Sequence, residues 1–223
     1  MSRSTVPERE SKGRPRGTVR ERQREATRQS LLDAAAEAFS ELSYAEVTVD
    51  EITARAGTAR GTFYLYFSKG KVLAELIENA FFGVLGAPSS EVLSDDLLVA
   101  APYTVDSLAE WIGKYVTTWR RNLPLARAWM EGEGSDPEVQ AITDRRVRRA
   151  VAMLSSILAE EQARAGNAVD EPLLRARALT MDLQMQYFCV HVVVRGFDVD
   201  LDTGIRAVAE QWYDTIHRDT GRS

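Results

Sequence analysis

The side chains with the densest chemical potential lie at residues 59–71, ARGTFYLYFSKGK, where four aromatics, two glycines and three basic side chains share thirteen positions. Arg60, Thr62, Tyr64 and Tyr66 offer a guanidinium fork and hydroxyls, and no acidic residue occurs between Glu51 and Glu75. Donors without acids suit a polyanion. Arg60 matches the bidentate geometry of guanine. Enzymatic chemistry finds no comparable set. The two histidines, His191 and His217, are far apart, and Cys189 is the only cysteine. There is no G-x-S-x-G motif and no Cys/His spacing for a metal. Gly132-Glu133-Gly134 lacks the lysine of a phosphate loop. The sequence therefore predicts a non-enzyme with no metal and no cofactor.

Three short helices must position the basic stretch. Leu31, Leu32, Ala35, Phe39 and Leu42 recur at spacings of three and four and predict a helix from Ala26 to about Ser43. Thr48 followed by Glu51 is a capping box that opens a second helix, and Gly57 closes it. A third helix fits between Ala59 and Phe67, with Phe63 and Phe67 on its inner face. Gly61 leaves a flat spot on the outer face where another backbone can come close. A longer helix begins at Ser68 or Lys69 and runs to about Gly86. Short helices separated by Gly57 read as a helix-turn-helix whose third helix enters a major groove.

These residues resemble the DNA-binding domain of the tetracycline-repressor (TetR) family of transcriptional regulators. Thr48-Val49-Asp50-Glu51-Ile52, Ala56-Gly57, Gly61-Thr62-Phe63-Tyr64-Leu65-Tyr66-Phe67 and Leu73 carry the resemblance over residues 25–80. It implies an all-helical fold, three DNA-binding helices followed by about six in a ligand-binding and dimerisation domain. It implies base contacts from Arg60, Gly61, Thr62 and Tyr64, and phosphate contacts from Thr48, Tyr66 and a lysine after Phe67. The sequence departs from the family at two points. Ala59 stands where a serine is common, which leaves Thr58 as the only side chain able to cap the third helix. Gly70 stands where a lysine is common, which leaves Lys69 or Lys71 for the phosphate.

The rest of the chain reads as helices divided at Pro124, Gly132–Pro137, Gly166 and Gly196, nine in all with those above and no sheet. Residues 1–24 are nearly devoid of apolar side chains and are expected to form a disordered basic arm. In that arm Gly13-Arg14-Pro15-Arg16-Gly17 reads either as a minor-groove insert or as a solvated tail. Residues 25–72 form the expected DNA-binding domain and residues 73–223 the C-terminal domain. Charge divides the same way: residues 1–71 hold 13 basic and 10 acidic side chains within a chain of net charge −5.

In the C-terminal part Trp111, Tyr115 and Trp119 follow one another at intervals of four. With Phe81, Phe82, Trp129, Met130, Met153 and Met185 they are candidates to line an apolar cavity, against the plainer reading of ordinary core. His191 sits among apolar neighbours, as a hydrogen-bonded core histidine or as a ligand contact. The segment from Tyr187 to Val194 is apolar nearly all round, so it is expected to be covered on two sides. With the Ile205–Ile216 stripe it would form a homodimer interface, as the resemblance also implies. No run of residues is long and apolar enough to span a membrane. The expected protein is a cytoplasmic, homodimeric repressor, released from a near-palindromic operator by an apolar or aromatic effector.

Overall fold

A computed structural model describes residues 18–82 and 103–218. All regular structure there is helical, in nine helices. These are α1 (Val19–Glu41), α2 (Val49–Arg55), α3 (Arg60–Tyr64), α4 (Lys69–Ile77, continued by a π turn at Glu78–Phe82), α5 (Val105–Arg121), α6 (Leu123–Glu133), α7 (Pro137–Arg164), α8 (Glu171–Phe188, continued by a π turn at Cys189–Val194) and α9 (Leu201–His217). The expected all-α class and the helix count hold for these residues. The apolar Tyr187–Val194 segment is helical, passing from α8 into its π turn.

Local chemistry sets most boundaries. Thr48, Ser68, Thr104, Asp136, Asp170 and Asp200 each accept a backbone N–H from the first turn of the helix they precede. Gly57, Gly166 and Gly196 take φ of 63°, 74° and 67°, the left-handed region that ends a helix without a Cβ clash. At two places the fold differs from the sequence reading. α1 starts at Val19, seven residues before Ala26, because Thr18 and Glu21 cap each other reciprocally and nucleate a further polar turn. Residues 19–24 are thus helical rather than part of a disordered arm; Gly13–Gly17 lie outside the described residues. α3 is five residues long, and Phe67 lies in the turn beyond it.

The N-terminal helices close around Leu31, Ala35, Phe39, Ile52, Phe63 and Phe67, all at most 5% exposed. Arg55 braces α1 to α2, with Nη2 2.8 Å from Glu41 and Nε donating to Glu51 at 2.9 Å. Glu51 is therefore spent on Arg55, and the capping box expected with Thr48 is present only in its Thr48 half. In the C-terminal part α7 packs along α8 and α5 along α9. Trp111 meets Trp212 across the second pair, with ring centroids 5.7 Å apart.

Candidate DNA-binding surface and effector cavity

α3 turns Phe63 wholly inward, while Tyr64 is 55% and Leu65 81% exposed. Arg60 and Gly61 are exposed beside them, Thr62 is half-buried, and nothing lies within 4 Å of where a Gly61 Cβ would stand. The outer face is therefore flat and rich in donors. Arg60 is not free on it. Both carboxylate oxygens of Asp50, in the first turn of α2, accept from its Nη1 at 3.1 and 3.0 Å, and its Nη2 lies 3.4 Å from the Tyr64 hydroxyl. The acid-free interval in the sequence hid this contact, because Asp50 lies just before it. Asp50 thus fixes one end of the guanidinium while Nη2 donates to Tyr64.

The remaining predicted DNA residues divide by their engagement. Thr48 is exposed and caps α2 through its oxygen, which leaves its hydroxyl proton free to donate. Thr58 does not cap α3: its buried hydroxyl has no partner among the described residues, and Ala59 at the cap position has no polar side-chain atom to offer. Tyr66 is half-buried against Phe67. The Lys69 ammonium sits 4.2 Å over the Tyr44 ring, and burial holds its pKa below the ordinary lysine range. The exposed Lys71 reaches outward, with Nζ 3.5 Å from Glu138.

Around Gly70 the DNA-binding helices lock onto the α6–α7 corner. The Tyr44 hydroxyl donates to Asp136 at 2.7 Å, and the Tyr44 N–H donates to Glu131 at 2.8 Å. Ser68 donates to Glu138, and Asp136 accepts the Glu138 N–H at 2.8 Å. A Cβ at position 70 would stand 2.3–2.6 Å from the Asp136 carboxylate. The absence of a lysine at position 70 thus has a steric cause.

A cavity of about 340 Å³ opens between the end of α4 and helices α5, α7, α8 and α9. Of the predicted ligand residues it brings together Trp111, Tyr115, Met153 and Met185, joined by Trp212. Phe81, Trp119 and Trp129 pack on one another instead, with centroids 5.4–5.7 Å apart, in solid core beside it. The Trp129 indole donates to Thr143 at 2.8 Å. The Phe82 side chain lies outside the described residues. His191 is neither core nor lining: it is exposed on the π turn after α8 and stacks on Tyr187. An apolar run overrode its solvent-facing azimuth in the sequence reading.

Sequence reasoning missed the cavity's charged lining, Glu78, Arg145, Arg146, Arg149 and Asp182. Arg146 and Asp182 form a buried bidentate pair at 2.7 and 2.8 Å, and Gln186 accepts from the same guanidinium at 2.8 Å. Arg149 pairs with Glu78 at 2.9 Å. A signal was available. Arg146 and Arg149 fall at helical spacing between Ile142 and Met153, and Asp182 falls between Ala178 and Met185, so ions interrupt two otherwise apolar stripes. Burial pushes the Tyr115 phenol up to about 12 and raises the Cys189 thiol far above its usual range, which makes a thiolate redox switch there unfavourable.

Residues 31–76 match the model of the bacterial regulatory proteins of the tetR family. An uncharacterized HTH-type transcriptional regulator of Mycobacterium tuberculosis is 29% identical over 143 residues, 64% of this chain and 64% of its own length. The chain thus matches just under two thirds of that relative. The uncharacterized HTH-type transcriptional regulator YvdT of Bacillus subtilis is 42% identical over 52 residues, 23% of this chain and 27% of its own length. In fold, the chain is similar to the transcriptional regulator FadR of Bacillus subtilis in complex with stearoyl-CoA, with a TM-score of 0.64 at 24% identity, over 85% of this chain and 99% of that one. The tetR-family model thus lies on the helix-turn-helix, residues 31–76, and the fold of such regulators extends through the C-terminal helices.

Proposed function

We propose that the chain is a homodimeric, ligand-responsive repressor that holds a near-palindromic operator through α3 and releases it when a small molecule fills the cavity. The observation that carries the DNA half is the outer face of α3: five residues, anchored by Phe63, with Arg60, Gly61 and Tyr64 exposed and no acid on the helix itself. Arg60, Gly61, Thr62 and Tyr64 face base edges. Thr48, Tyr66 and Lys71 take phosphates, with Lys69 held back by Tyr44. The chain divides into an N-terminal arm, a DNA-binding domain to about residue 72 and a C-terminal domain beyond it. Dimerisation uses α8 and α9, because Leu179, Leu183 and Tyr187 are 39%, 39% and 59% exposed in a single chain and form one apolar stripe at intervals of four. Support for an effector comes from the cavity and from the ligand-bound FadR of the same fold.

The test is selection of bound sequences from a random DNA pool with the full chain, followed by salt-titrated binding. The expected result is a two-fold symmetric consensus, bound by a dimer, at least about a thousandfold more tightly than unrelated DNA. Recovery of no consensus, with equal affinity for all sequences, would refute it.

A further inference from the structure

The cavity combines two environments that a single kind of ligand satisfies. Its body is apolar and aromatic, walled by Trp111, Tyr115, Trp212, Met153, Met185 and Leu154. Its rim is cationic. Three arginines of α7 line it against two carboxylates. Arg146 is neutralised by Asp182 in a buried bidentate pair. Arg145 is exposed at the rim and has no acidic partner among the described residues. Arg149 has one, Glu78, and it is a weak hold: the Arg149 side chain is 53% exposed, and solvent screens an ion pair so placed.

Glu78 is the first residue of the π turn that ends α4, the helix whose other end carries Lys69, Gly70 and Lys71. The Glu78–Arg149 pair is therefore a bond between the helix leaving the DNA-binding domain and the wall of the cavity. A second carboxylate arriving from the cavity would compete for the same guanidinium. We propose that the cavity takes a compact amphiphile, an apolar body carrying one carboxylate, and that this carboxylate sits on Arg145 and Arg149 in place of Glu78. The planar carboxylate fits the guanidinium fork, and the volume, near the lower end of the roughly 300–1,000 Å³ usual for ligand sites, favours a small body over a long-chain thioester. Displacing Glu78 frees the end of α4, so binding and the setting of the DNA-binding helices become linked. This rests on the reading of the cavity as an effector site.

The experiment uses the full chain and two matched pairs, decanoate with decanol and 4-phenylbutyrate with 4-phenylbutanol, titrated by tryptophan fluorescence, since Trp111 and Trp212 line the cavity. Each acid is expected to bind at least about tenfold more tightly than its alcohol, the equivalent of one charge-assisted contact. Arg145→Gln with Arg149→Gln should erase that preference and leave alcohol binding unchanged. Glu78→Gln, which removes the competitor, should tighten acid binding severalfold and leave alcohol binding alone. Equal affinities for acid and alcohol, no saturable quenching by either pair, or a preference that survives the double substitution would overturn the proposal. Operator binding is measured in parallel. If alcohols release DNA as well as acids do, the effector reading stands and the carboxylate assignment falls. If no cavity-bound probe alters DNA binding, the effector reading itself falls.

Discussion

Gly70→Ala tests the joint between the DNA-binding helices and the C-terminal part. Alanine in a helix is ordinarily about 1 kcal/mol better than glycine, so local rules predict a gain. The structure predicts a loss. A Cβ at this position would lie 2.3 Å from Asp136 Oδ1 and 2.6 Å from its Cγ. Asp136 is short and is held at both oxygens, by the Glu138 N–H at 2.8 Å and the Tyr44 hydroxyl at 2.7 Å. Moving it forfeits the N-cap of α7, about 1 kcal/mol, and a hydrogen bond to a charged group, about 1.5–3 kcal/mol. Against the helix gain, the net destabilisation is about 1.5–3 kcal/mol. For a chain of this size that lowers the melting temperature by roughly 3–12 °C. The assay is thermal and urea unfolding of four proteins: wild type, Gly70→Ala, Asp136→Ser and the double variant. Serine still caps but leaves room, so Gly70→Ala should be neutral or stabilising in that background. If Gly70→Ala is as stable as wild type with Asp136 present, the reasoning about this contact is refuted.

Arg60→Ala should cost about 1–3 kcal/mol on the selected operator and little on random DNA; Asp50→Asn, which removes a solvent-exposed buttress, should cost at most about 1 kcal/mol, and a larger loss than that of Arg60→Ala in the same binding assay would contradict the assigned order of roles. Deletion of residues 1–17 should flatten the plot of log affinity against log salt by about 0.9 for each phosphate contact removed, whereas an unchanged slope assigns the segment to solvent. Burial and the Asp136 carboxylate hold the Tyr44 phenol protonated well above its ordinary value of 10.0. The folded chain then keeps a proton that the unfolded chain releases, so stability falls as pH rises above about 10. Tyr44→Phe should reduce that alkaline slope by about 1.4 kcal/mol per pH unit, while Tyr115, raised to about 12, continues to contribute; an unchanged slope in urea unfolding at pH 10–11.5 would remove Tyr44 from this role. Cys189, buried with its thiol raised, should react with a disulfide reagent only at the rate of opening or unfolding, checked by comparing native and urea-unfolded protein.

Sequence alone determined what depends on a few neighbouring residues. Thr48, Ser68 and Thr104 mark helix starts because a hydroxyl three residues from a free N–H can reach it. Gly57, Gly166 and Gly196 mark stops because only glycine takes a positive φ without cost. The inward Phe63 and outward Tyr64 follow from the helical period, and the helix-turn-helix follows from those features in series. Tertiary structure decided whatever joins residues remote in the chain. Asp136 meets Tyr44 across 92 positions and Asp182 meets Arg146 across 36. Whether Phe81, Trp119 and Trp129 fill core while Trp111 and Tyr115 line a cavity depends on the azimuth and crossing of α5 against α4, α6 and α9. An apolar stripe records that a face is covered. It does not record by which helix, or whether the covering side chains leave a gap, because burial is non-directional and the packing that shapes a cavity is set by all the helices at once.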